Sequence, residues 1–291
     1  MNLAAIDIGS NAMRLLIAEP RVIKNELEIK KISLVRVPLR LGETVFATGL
    51  VSLAKREMLR KSLIAYKNLM EVYQVQVYRA VATSAMREAK NGKDVLAYLE
   101  RETGIHIDII SGRDEAEIVK ETFASSALEA KRTYLYIDVG GGSTELSFIK
   151  DGKPIRSKSF KIGTVRVLQG LVDPKMWDEL KDWVLLNTPK RGNLIALGSG
   201  GNINNLVKLL SNTLSPRNLS RAEIDAFYSE MKELNLKERQ EKYGFKTDRA
   251  DVIEPATKIY TKVMKWANID TITVPKIGVA DGIIAQLYKN L

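Results

Sequence analysis

Two short segments place an aspartate just before a glycine turn, and each follows a run of apolar residues. The first reads Ala-Ala-Ile-Asp-Ile-Gly-Ser-Asn over residues 4–11, and the second reads Tyr-Ile-Asp-Val-Gly-Gly-Gly-Ser over 136–143. Glycines in such a turn let successive backbone N–H groups approach an anion, because no side chain blocks the way. A carboxylate beside a phosphate repels it unless a divalent cation is bound there. The two segments therefore predict phosphate binding together with Mg²⁺ or another divalent cation.

The predicted phosphate-binding residues belong to three loops. The third loop, 198–201, also follows an apolar strand and also combines glycine with serine. One such loop alone is readily explained as a tight turn that needs glycine, but three at strand ends favour a ligand. We expect Asp138 to hold the cation and Asp7 to assist through water. The predicted phosphate contacts are Gly9, Ser10 and Asn11; Gly140, Gly141, Gly142 and Ser143; and Gly198, Ser199, Gly200 and Gly201.

Both aspartate segments begin a similar succession of elements, which indicates duplication at the level of architecture. Each starts as strand, glycine turn and strand, adds a further strand, and continues with alternating helices and strands. Residues 235–251 form a polar, charged stretch. The pattern predicts an α/β protein with domains 1–125 and 126–291, joined near 125–133, with the last helix able to pack back on the first domain. Apolar spacing predicts the main helices at 53–73, 91–103, 113–128, 174–186, 220–234, 252–267 and from 278.

The composition excludes several classes of protein. None of the 291 residues is cysteine, so disulfides and thiolate metal sites are excluded. No apolar run approaches the ~20 residues that span a bilayer, and no signal peptide is evident, so we expect a cytoplasmic protein without a membrane partner. The net charge of +10 fits either general solubility or a polyanionic ligand. No reader motif or aromatic-basic pattern indicates a nucleic-acid partner, and we expect none.

Further motifs resemble those of a known protein family. The two aspartate–glycine segments are similar to the phosphate loops of the actin-like phosphotransferase superfamily. Within it, four other stretches resemble the exopolyphosphatase / guanosine pentaphosphate phosphohydrolase family: 80–91, 109–118, 161–169 and 249–256. The resemblance covers nearly the whole chain and looks like the short, two-domain form. It implies two actin-like (ribonuclease H-like) domains, each a mixed sheet flanked by helices, with the two aspartate loops facing each other across an interdomain cleft.

The resemblance also implies a reaction and roles for four side chains. The reaction is metal-assisted release of the terminal phosphate from polyphosphate or from pppGpp by water. Glu115 would activate the water, Arg87 would grip phosphate, Glu145 would place water or metal, and Arg166 would be a further phosphate contact. Position alone favours a helix-dipole role for Glu115 and a surface location for Arg87. The family match reverses both interpretations.

Departures from the family pattern leave alternatives open. Asp114 stands where the family usually has Glu, Thr164 replaces a smaller residue, and Ala280 and Asp281 occupy a region where many relatives have Arg-Glu. The two aspartates keep a weakly catalytic or non-catalytic sensor of polyphosphate or guanosine penta- or tetraphosphate under consideration. An ATP-dependent kinase of the same superfamily is the other alternative. The sequence does not choose between polyphosphate and pppGpp, and it leaves the oligomeric state open, a homodimer included.

The remaining polar residues have simpler interpretations. His106 is the single histidine and is predicted to be structural, so a histidine-based metal cluster has no support. Basic residues on strands are usually solvated, although some could guide a polyanion. These candidates are Lys153, Arg156, Lys158 and Lys161, and Arg36 with Arg40.

Overall fold

The computed structural model forms two compact units. It describes residues 1–23, 26–115, 117–118, 132–190, 194–210, 217–275 and 278–291. The first unit combines Met1–Ala127 with Ile277–Leu291, and the second is Leu128–Lys276. The end of the chain thus belongs to the first unit. Much of the predicted helix 113–128 and most of the predicted join at 125–133 lie outside the described residues.

The first unit is built on a five-stranded mixed sheet with the order β3-β2-β1-β4-β5. β1 pairs antiparallel with β2 and parallel with β4. Residues 3–6 of β1 are fully buried, which explains why this strand reads as a continuous apolar run. The strands are β1 (Asn2–Ile8), β2 (Met13–Ile23), β3 (Glu26–Val37), β4 (Val75–Ala82) and β5 (Asp108–Ile109). The helices of this unit that lie wholly within the described residues are Leu41–Thr48, Leu53–Val72, Ser84–Glu88, Gly92–Thr103 and Val279–Lys289.

The second unit is built on a six-stranded mixed sheet with the order β10-β11-β9-β6-β7-β8. Its strands are β6 (Thr133–Val139), β7 (Thr144–Lys150), β8 (Lys153–Phe160), β9 (Leu194–Ser199), β10 (Asn218–Ser220) and β11 (Thr271–Thr273). Its helices are Thr164–Leu168, Pro174–Asn187, Gly200–Leu210, Arg221–Glu233, Leu236–Tyr243, Thr247–Ala250 and Ile253–Trp266.

The two sheets share one topology, which confirms the predicted duplication and the α/β fold. In each, three consecutive strands pair antiparallel, and the first of the three also pairs with a parallel strand from later in the chain. The order β8-β7-β6-β9-β11 therefore repeats β3-β2-β1-β4-β5, and β10 is an added edge strand. Each unit buries an apolar core of its own. In the described part of the chain, no helix has the length and apolar character that crossing a membrane requires.

The clearest difference from the predicted elements lies in 235–251, where the charged stretch forms two short helices. The Asn235 side chain caps the helix Leu236–Tyr243 by accepting from the N–H groups of Lys237 and Glu238. In turn, the Asn235 N–H donates to the Glu238 carboxylate. This helix buries none of its residues, so its sequence lacks the apolar stripe on which the prediction relied.

A tight contact anchors the last helix, and an alanine there should destabilise the first unit. A Cβ at Gly282 would lie 2.1 Å from the backbone oxygen of Ile118. We expect Gly282→Ala to lower the free energy of unfolding by about 1–3 kcal/mol, measured by urea denaturation. Gly278→Ala is the control, because no atom lies within 4 Å of that Cβ. Equal unfolding midpoints for the two variants would contradict this prediction.

Asp281, one of the departures from the family pattern, has a structural role in the same helix. Its Oδ2 accepts from the Gly278 N–H at 2.9 Å, and its Oδ1 lies 2.7 Å from Lys31 Nζ. Burial raises the pKa of Asp281, although Lys31 opposes that shift. A carboxyl that holds its proton more tightly in the folded state destabilises the fold as pH rises from its unfolded pKa towards its folded pKa.

The pH dependence of stability should therefore differ between the wild type and Asp281→Asn. As pH rises from about 4, close to the usual aspartate value, the free energy of unfolding of the wild type should fall relative to that of the variant. Urea unfolding of both proteins at a series of pH values measures this difference. A constant difference, or one that grows in favour of the wild type, would show that Asp281 does not carry the effect.

Candidate functional site

The two aspartate segments form matching β-hairpins, which we call the first hairpin (residues 7–14) and the second hairpin (138–145). In the first, Gly9 donates its N–H to the carbonyl of Ala12 at 3.0 Å; in the second, Gly140 donates to Ser143 at 2.9 Å. In both turns, the residue two positions after the aspartate donates its N–H to the carbonyl of the residue five positions after it.

The residue opposite each aspartate distinguishes the hairpins. Asp7 pairs in register with Arg14, and Oδ2 lies 2.9 Å from Arg14 Nη1. Asp138 pairs in register with Glu145. Residues directly opposite in an antiparallel pair project from the same face of the sheet. The first hairpin therefore presents an ion pair on this face, whereas the second presents two carboxyl groups.

The carbonyl groups of the second hairpin are held by the segment that follows β8. Gly140 O accepts from the Thr164 N–H at 2.9 Å, and Gly141 O accepts from Val165 at 2.9 Å. The buried Arg166 donates Nε–H to Gly142 O at 2.7 Å. These bonds fix the orientation of three successive peptide groups, so Arg166 is a positioning residue for the loop as well as a predicted phosphate contact.

Two N–H groups of the same loop are left for a ligand. With the described residues as possible acceptors, the N–H groups of Gly141 and Gly142 make no hydrogen bond. Gly142 is buried, and buried N–H groups are seldom left unpaired in proteins. Adjacent N–H donors of this kind suit an anion such as phosphate.

The first hairpin is held in the same way. Ser10 O accepts from Gly42 at 2.8 Å and Asn11 O from Arg40 at 2.8 Å, at the start of the helix Leu41–Thr48. The hydroxyl groups of Ser10 and Ser84 lie 2.7 Å apart, and both residues are buried. Ser84 follows β4, the parallel neighbour of β1, so the structure brings two loops of the first unit together at one edge of the sheet.

Asp138 is positioned by two hydroxyl groups. Its Oδ2 accepts from Tyr136 at 3.0 Å and from Ser199 at 2.7 Å, and these two hydroxyl groups also contact each other. Burial and the nearby Asp138 carboxylate raise the pKa of Tyr136 well above its usual value, so the phenol keeps its proton and remains a donor. The carboxylate is therefore held in one orientation.

Gly200 approaches the other oxygen of Asp138. Its φ of +87° is in the left-handed region, and a Cβ there would lie 2.7 Å from Asp138 Oδ1. The helix Gly200–Leu210 begins at this residue, so its positive end is next to the carboxylate. Gly201 belongs to the same turn, and its carbonyl accepts from Arg249 at 3.0 Å. Packing explains the glycine at position 198, because a Cβ there would lie 2.9 Å from the side chains of Ile203 and Ile272.

Glu145 is also held by hydroxyl groups. Its Oε1 accepts from Ser143 at 2.6 Å and from Ser159 at 2.9 Å, and the residue is buried. The spacing of Ser143 and Glu145 predicts one strand face, and their hydrogen bond is consistent with it. Glu145 is therefore not a solvent-exposed residue of its strand.

Arg87 and Glu115 lie in neighbouring segments after the strands of the first unit. Arg87 Nη1 donates to the Ile110 carbonyl at 2.6 Å, and Ile110 N–H donates to Ala82 at 3.0 Å. With respect to the described residues, this is the one hydrogen bond of the Arg87 side chain, so the rest of its fork can serve a ligand. Glu115 is partly buried in a helical segment, and its N–H donates to Ser111 at 3.0 Å.

Asp114 has a different role from its neighbour. Its Oδ2 accepts from the Ser111 N–H at 3.0 Å and from the Ser111 hydroxyl at 2.8 Å. These bonds, the hydroxyl first, lower the pKa of Asp114. Asp114 thus caps the start of the segment that carries Glu115, and a shorter acid in place of Glu is compatible with that structural role.

Several other sequence candidates have ordinary surface contacts. Lys158 pairs with Glu179 at 2.6 Å, and Arg40 pairs with Glu43 at 2.7 Å. His106 is exposed between Glu100 and Asp108, and these contacts, Glu100 first, raise its pKa. The described residues contain no group of three or more His, Cys, Asp or Glu side chains arranged to hold a metal ion.

Comparison with known proteins identifies the family. A model of the Ppx/GppA phosphatase family matches residues 22–291. The chain belongs to the Ppx/GppA family. The family assignment made from the motifs is therefore confirmed.

Relatives of this Ppx/GppA protein are similar over almost all of its length. Exopolyphosphatase 1 of Mycobacterium leprae is 25% identical, with 98% of this chain and 89% of the relative covered. The bifunctional 3-dehydroquinate synthase/phosphatase of Fusobacterium nucleatum is 29% identical over 99% of this chain and 46% of its own length. A crystal structure of the Aquifex aeolicus family member is 26% identical, has a TM-score of 0.78 and matches 100% of this chain and 98% of that one.

Three residues important for the geometry of this Ppx/GppA site were not predicted. Tyr136 and Ser159 hold the two carboxyl groups of the second hairpin, and Ser84 contacts Ser10. Tyr136 could have been found from the period of a strand, because it is two residues before Asp138 and shares its face. Ser84 begins the helix that follows β4, and Ser159 is on β8. Both reach their partners through the tertiary structure, so the residues beside them in the sequence do not indicate these contacts.

Proposed function

We propose that this protein hydrolyses the terminal phosphoanhydride bond of inorganic polyphosphate and releases orthophosphate. The observation that carries the proposal is the second hairpin, where the N–H groups of Gly141 and Gly142 make no hydrogen bond to a described residue and two carboxyl groups, Asp138 and Glu145, pair in register. A trans peptide points its N–H away from its carbonyl, so these N–H groups point away from the residues that hold the Gly140 and Gly141 carbonyls. Membership of a phosphatase family supports hydrolysis rather than phosphate transfer to an acceptor. The terminal anhydride of pppGpp has the same chemistry, so it is the second substrate to test.

The donor set of the second hairpin fits a magnesium ion. Mg²⁺ is usually bound by one or two carboxylates together with substrate phosphates and water, and it does not need an all-protein cage. Asp138 and Glu145 provide two carboxylates on one face, and Gly200 leaves the space beside Asp138 Oδ1 that a Cβ would fill. We propose that Asp138 holds the ion, which would neutralise charge on the phosphate oxygens when bound.

The reaction divides its tasks among residues that the chain itself supplies. Glu115 orients a water molecule and accepts its proton as the water oxygen attacks the terminal phosphorus. The N–H groups of Gly141 and Gly142 and the fork of Arg87 bind phosphate oxygens and offset their charge. The bond from phosphorus to the bridging oxygen breaks, so the products are orthophosphate and a chain shorter by one phosphate.

Removing the Tyr136 hydroxyl should weaken metal-dependent activity more than it weakens the fold. Tyr136→Phe removes one of the two donors to Asp138 Oδ2. Loss of a hydrogen bond that orients a metal-binding carboxylate typically costs about 10–100-fold in metal affinity or activity. The measurement is the Mg²⁺ concentration for half-maximal phosphate release, with urea unfolding as a control. An unchanged Mg²⁺ requirement would argue against Asp138 as the metal-binding residue.

The proposed function is tested by comparing substrates side by side. Orthophosphate release is measured with Mg²⁺ from polyphosphates of several lengths, from pppGpp and from ATP. Release from polyphosphate supports the proposal, and the pppGpp arm decides whether that substrate is shared. Binding without turnover would favour a sensor, and transfer from ATP to an acceptor would favour a kinase; either outcome would overturn the proposal.

A further inference from the structure

A basic surface separate from the hairpins lies on two helices of the second unit. Trp177 and Lys181 are on the helix Pro174–Asn187, which packs against the helix Ile253–Trp266. We call the following residues the lysine–tryptophan patch: Trp177, Lys181, Lys258, Lys262, Lys265 and Trp266. None of them belongs to the hairpins or to the residues that hold the hairpins.

Two lysines of the patch, Lys258 and Lys262, are within cation–π distance of its tryptophans. Lys262 Nζ lies 5.2 Å from the centre of the Trp177 ring and 5.4 Å from that of Trp266. Lys258 Nζ lies 5.7 Å from the centre of the Trp177 ring. The Trp177 ring thus has two ammonium groups of the patch within cation–π distance.

The charges of the patch are not paired with acids. Counting the described residues, no carboxylate oxygen lies within 4.0 Å of Lys181, Lys258, Lys262 or Lys265. Four acidic side chains occur on the same helices, Asp178, Glu179, Asp182 and Glu254; none of them comes within 4.0 Å of these lysines, and Glu179 pairs with Lys158. Burial, followed by repulsion from Lys258, Lys181 and Lys265, lowers the pKa of Lys262. Four cations on two packed helices, none paired with a described carboxylate, favour a polyanion that neutralises them together.

On the helix Ile253–Trp266, the lysines of the patch are on the side opposite the residue that contacts the loop beside Asp138. Tyr260 is buried and donates its hydroxyl to the Ser199 carbonyl at 3.2 Å. Lys258, Lys262 and Lys265 follow the i, i+4, i+7 spacing of a single helix face, and Tyr260 is about half a turn away from them. A ligand on the patch therefore does not use the Asp138 site.

We infer that the lysine–tryptophan patch is a second binding site for a polyphosphate chain, occupied by internal phosphates remote from the chain end. This inference rests on the proposed function, in which polyphosphate is the substrate. A second contact would hold long chains of that substrate better than short ones. A polymer without bases fits better than a nucleic acid, because lysines already cover faces of both indole rings and base stacking needs such a face.

The test compares two double variants that remove equal charge. Lys258→Gln/Lys262→Gln removes two cations from the patch, and Lys208→Gln/Lys237→Gln removes two exposed cations elsewhere in the same unit. Binding of long-chain polyphosphate and of tripolyphosphate is measured without divalent cations, so no turnover is needed. We expect the patch variant to bind the long chain about tenfold more weakly, the low end of the range for charged clefts, and the control variant to resemble the wild type.

Three further measurements test the patch: polyphosphate binding by an arginine variant, hydrolysis of tripolyphosphate, and binding of an oligonucleotide. Lys258→Arg/Lys262→Arg should restore long-chain binding, and hydrolysis of tripolyphosphate should be unchanged in the patch variant. Equal losses in the patch and control variants would show a general charge effect and overturn the inference. Tighter binding of a single-stranded oligonucleotide through the same lysines would assign the patch to nucleic acid instead. Long-chain binding at the patch in a protein that hydrolyses nothing would leave this inference standing while the proposed function fails.

Discussion

Glu115→Gln is expected to reduce phosphate release from polyphosphate by about 10²–10⁴-fold, the usual contribution of a general base. The amide keeps the size of the side chain but does not accept the proton of the attacking water. The effect should fall on kcat, because polyphosphate binding by the hairpins and Arg87 does not require the carboxylate. The measurement is the steady-state rate of orthophosphate release, with binding of tripolyphosphate measured separately.

The control for this prediction is Glu117→Gln. Glu117 is an exposed glutamate two residues further along the same segment, so it matches the charge change. Its activity should stay close to that of the wild type. Undiminished activity in Glu115→Gln would remove Glu115 from the reaction, and an equal loss in both variants would point to the charge of the segment.

Gly163→Ala is expected to lower activity by about 10²-fold, the cost of misplacing reacting groups by roughly 1 Å. A Cβ at Gly163 would lie 2.4 Å from Gly141 C and O and from Gly142 C. Backbone atoms cannot rotate away from such a contact, so the loop itself must move. The displaced groups are the two N–H donors on which the proposed phosphate site depends.

Thr164→Ser is the control for Gly163→Ala. It changes the adjacent residue but keeps the backbone N–H that donates to Gly140 O. Phosphate release and urea unfolding should be measured for both variants. Normal activity in Gly163→Ala would show that the loop tolerates displacement. A loss of activity that unfolding fully explains would show an effect on stability and not on the geometry of the site.

The two hairpins share the hydrogen bond that closes their turns but differ in the charge opposite the aspartate. Asp7 is neutralised by Arg14 on the same face, whereas Asp138 is opposite another carboxyl group. A second carboxylate favours a cation, and an ion pair has less need of one. This difference is why we propose Asp138 for the main metal contact, and the assistance of Asp7 through water also stays a prediction.

Local sequence patterns were sufficient to predict the hairpins and most of the elements that flank them. The apolar run before Asp138, the three glycines and the spacing to Glu145 are all contained in one short segment. The helix Leu53–Val72 was also predictable, because its buried residues recur at helical spacing. Each of these features depends on residues that are close in sequence.

The remaining features of the site depend on residues that are distant in sequence. Ser199 is 61 residues from Asp138, and Ser84 is 74 residues from Ser10. The lysine–tryptophan patch likewise needs two helices to pack before Trp177 meets Lys258 and Lys262. The net charge was compatible with either general solubility or a polyanionic ligand, and it could not place these lysines on one surface. The predicted cleft and the roles of Glu115 and Arg87 stay predictions.

The most direct test asks whether the second hairpin binds phosphate through its backbone. With 19 glycines in the chain, labelling glycine with ¹⁵N gives a spectrum in which the N–H signals can be followed individually. Tripolyphosphate with Mg²⁺ is added to Glu115→Gln, which limits turnover. We predict that the signals of Gly141 and Gly142 shift on binding, whereas those of Gly152 and Gly170 do not. Saturation of the protein without any shift at Gly141 and Gly142 would contradict the proposed phosphate site.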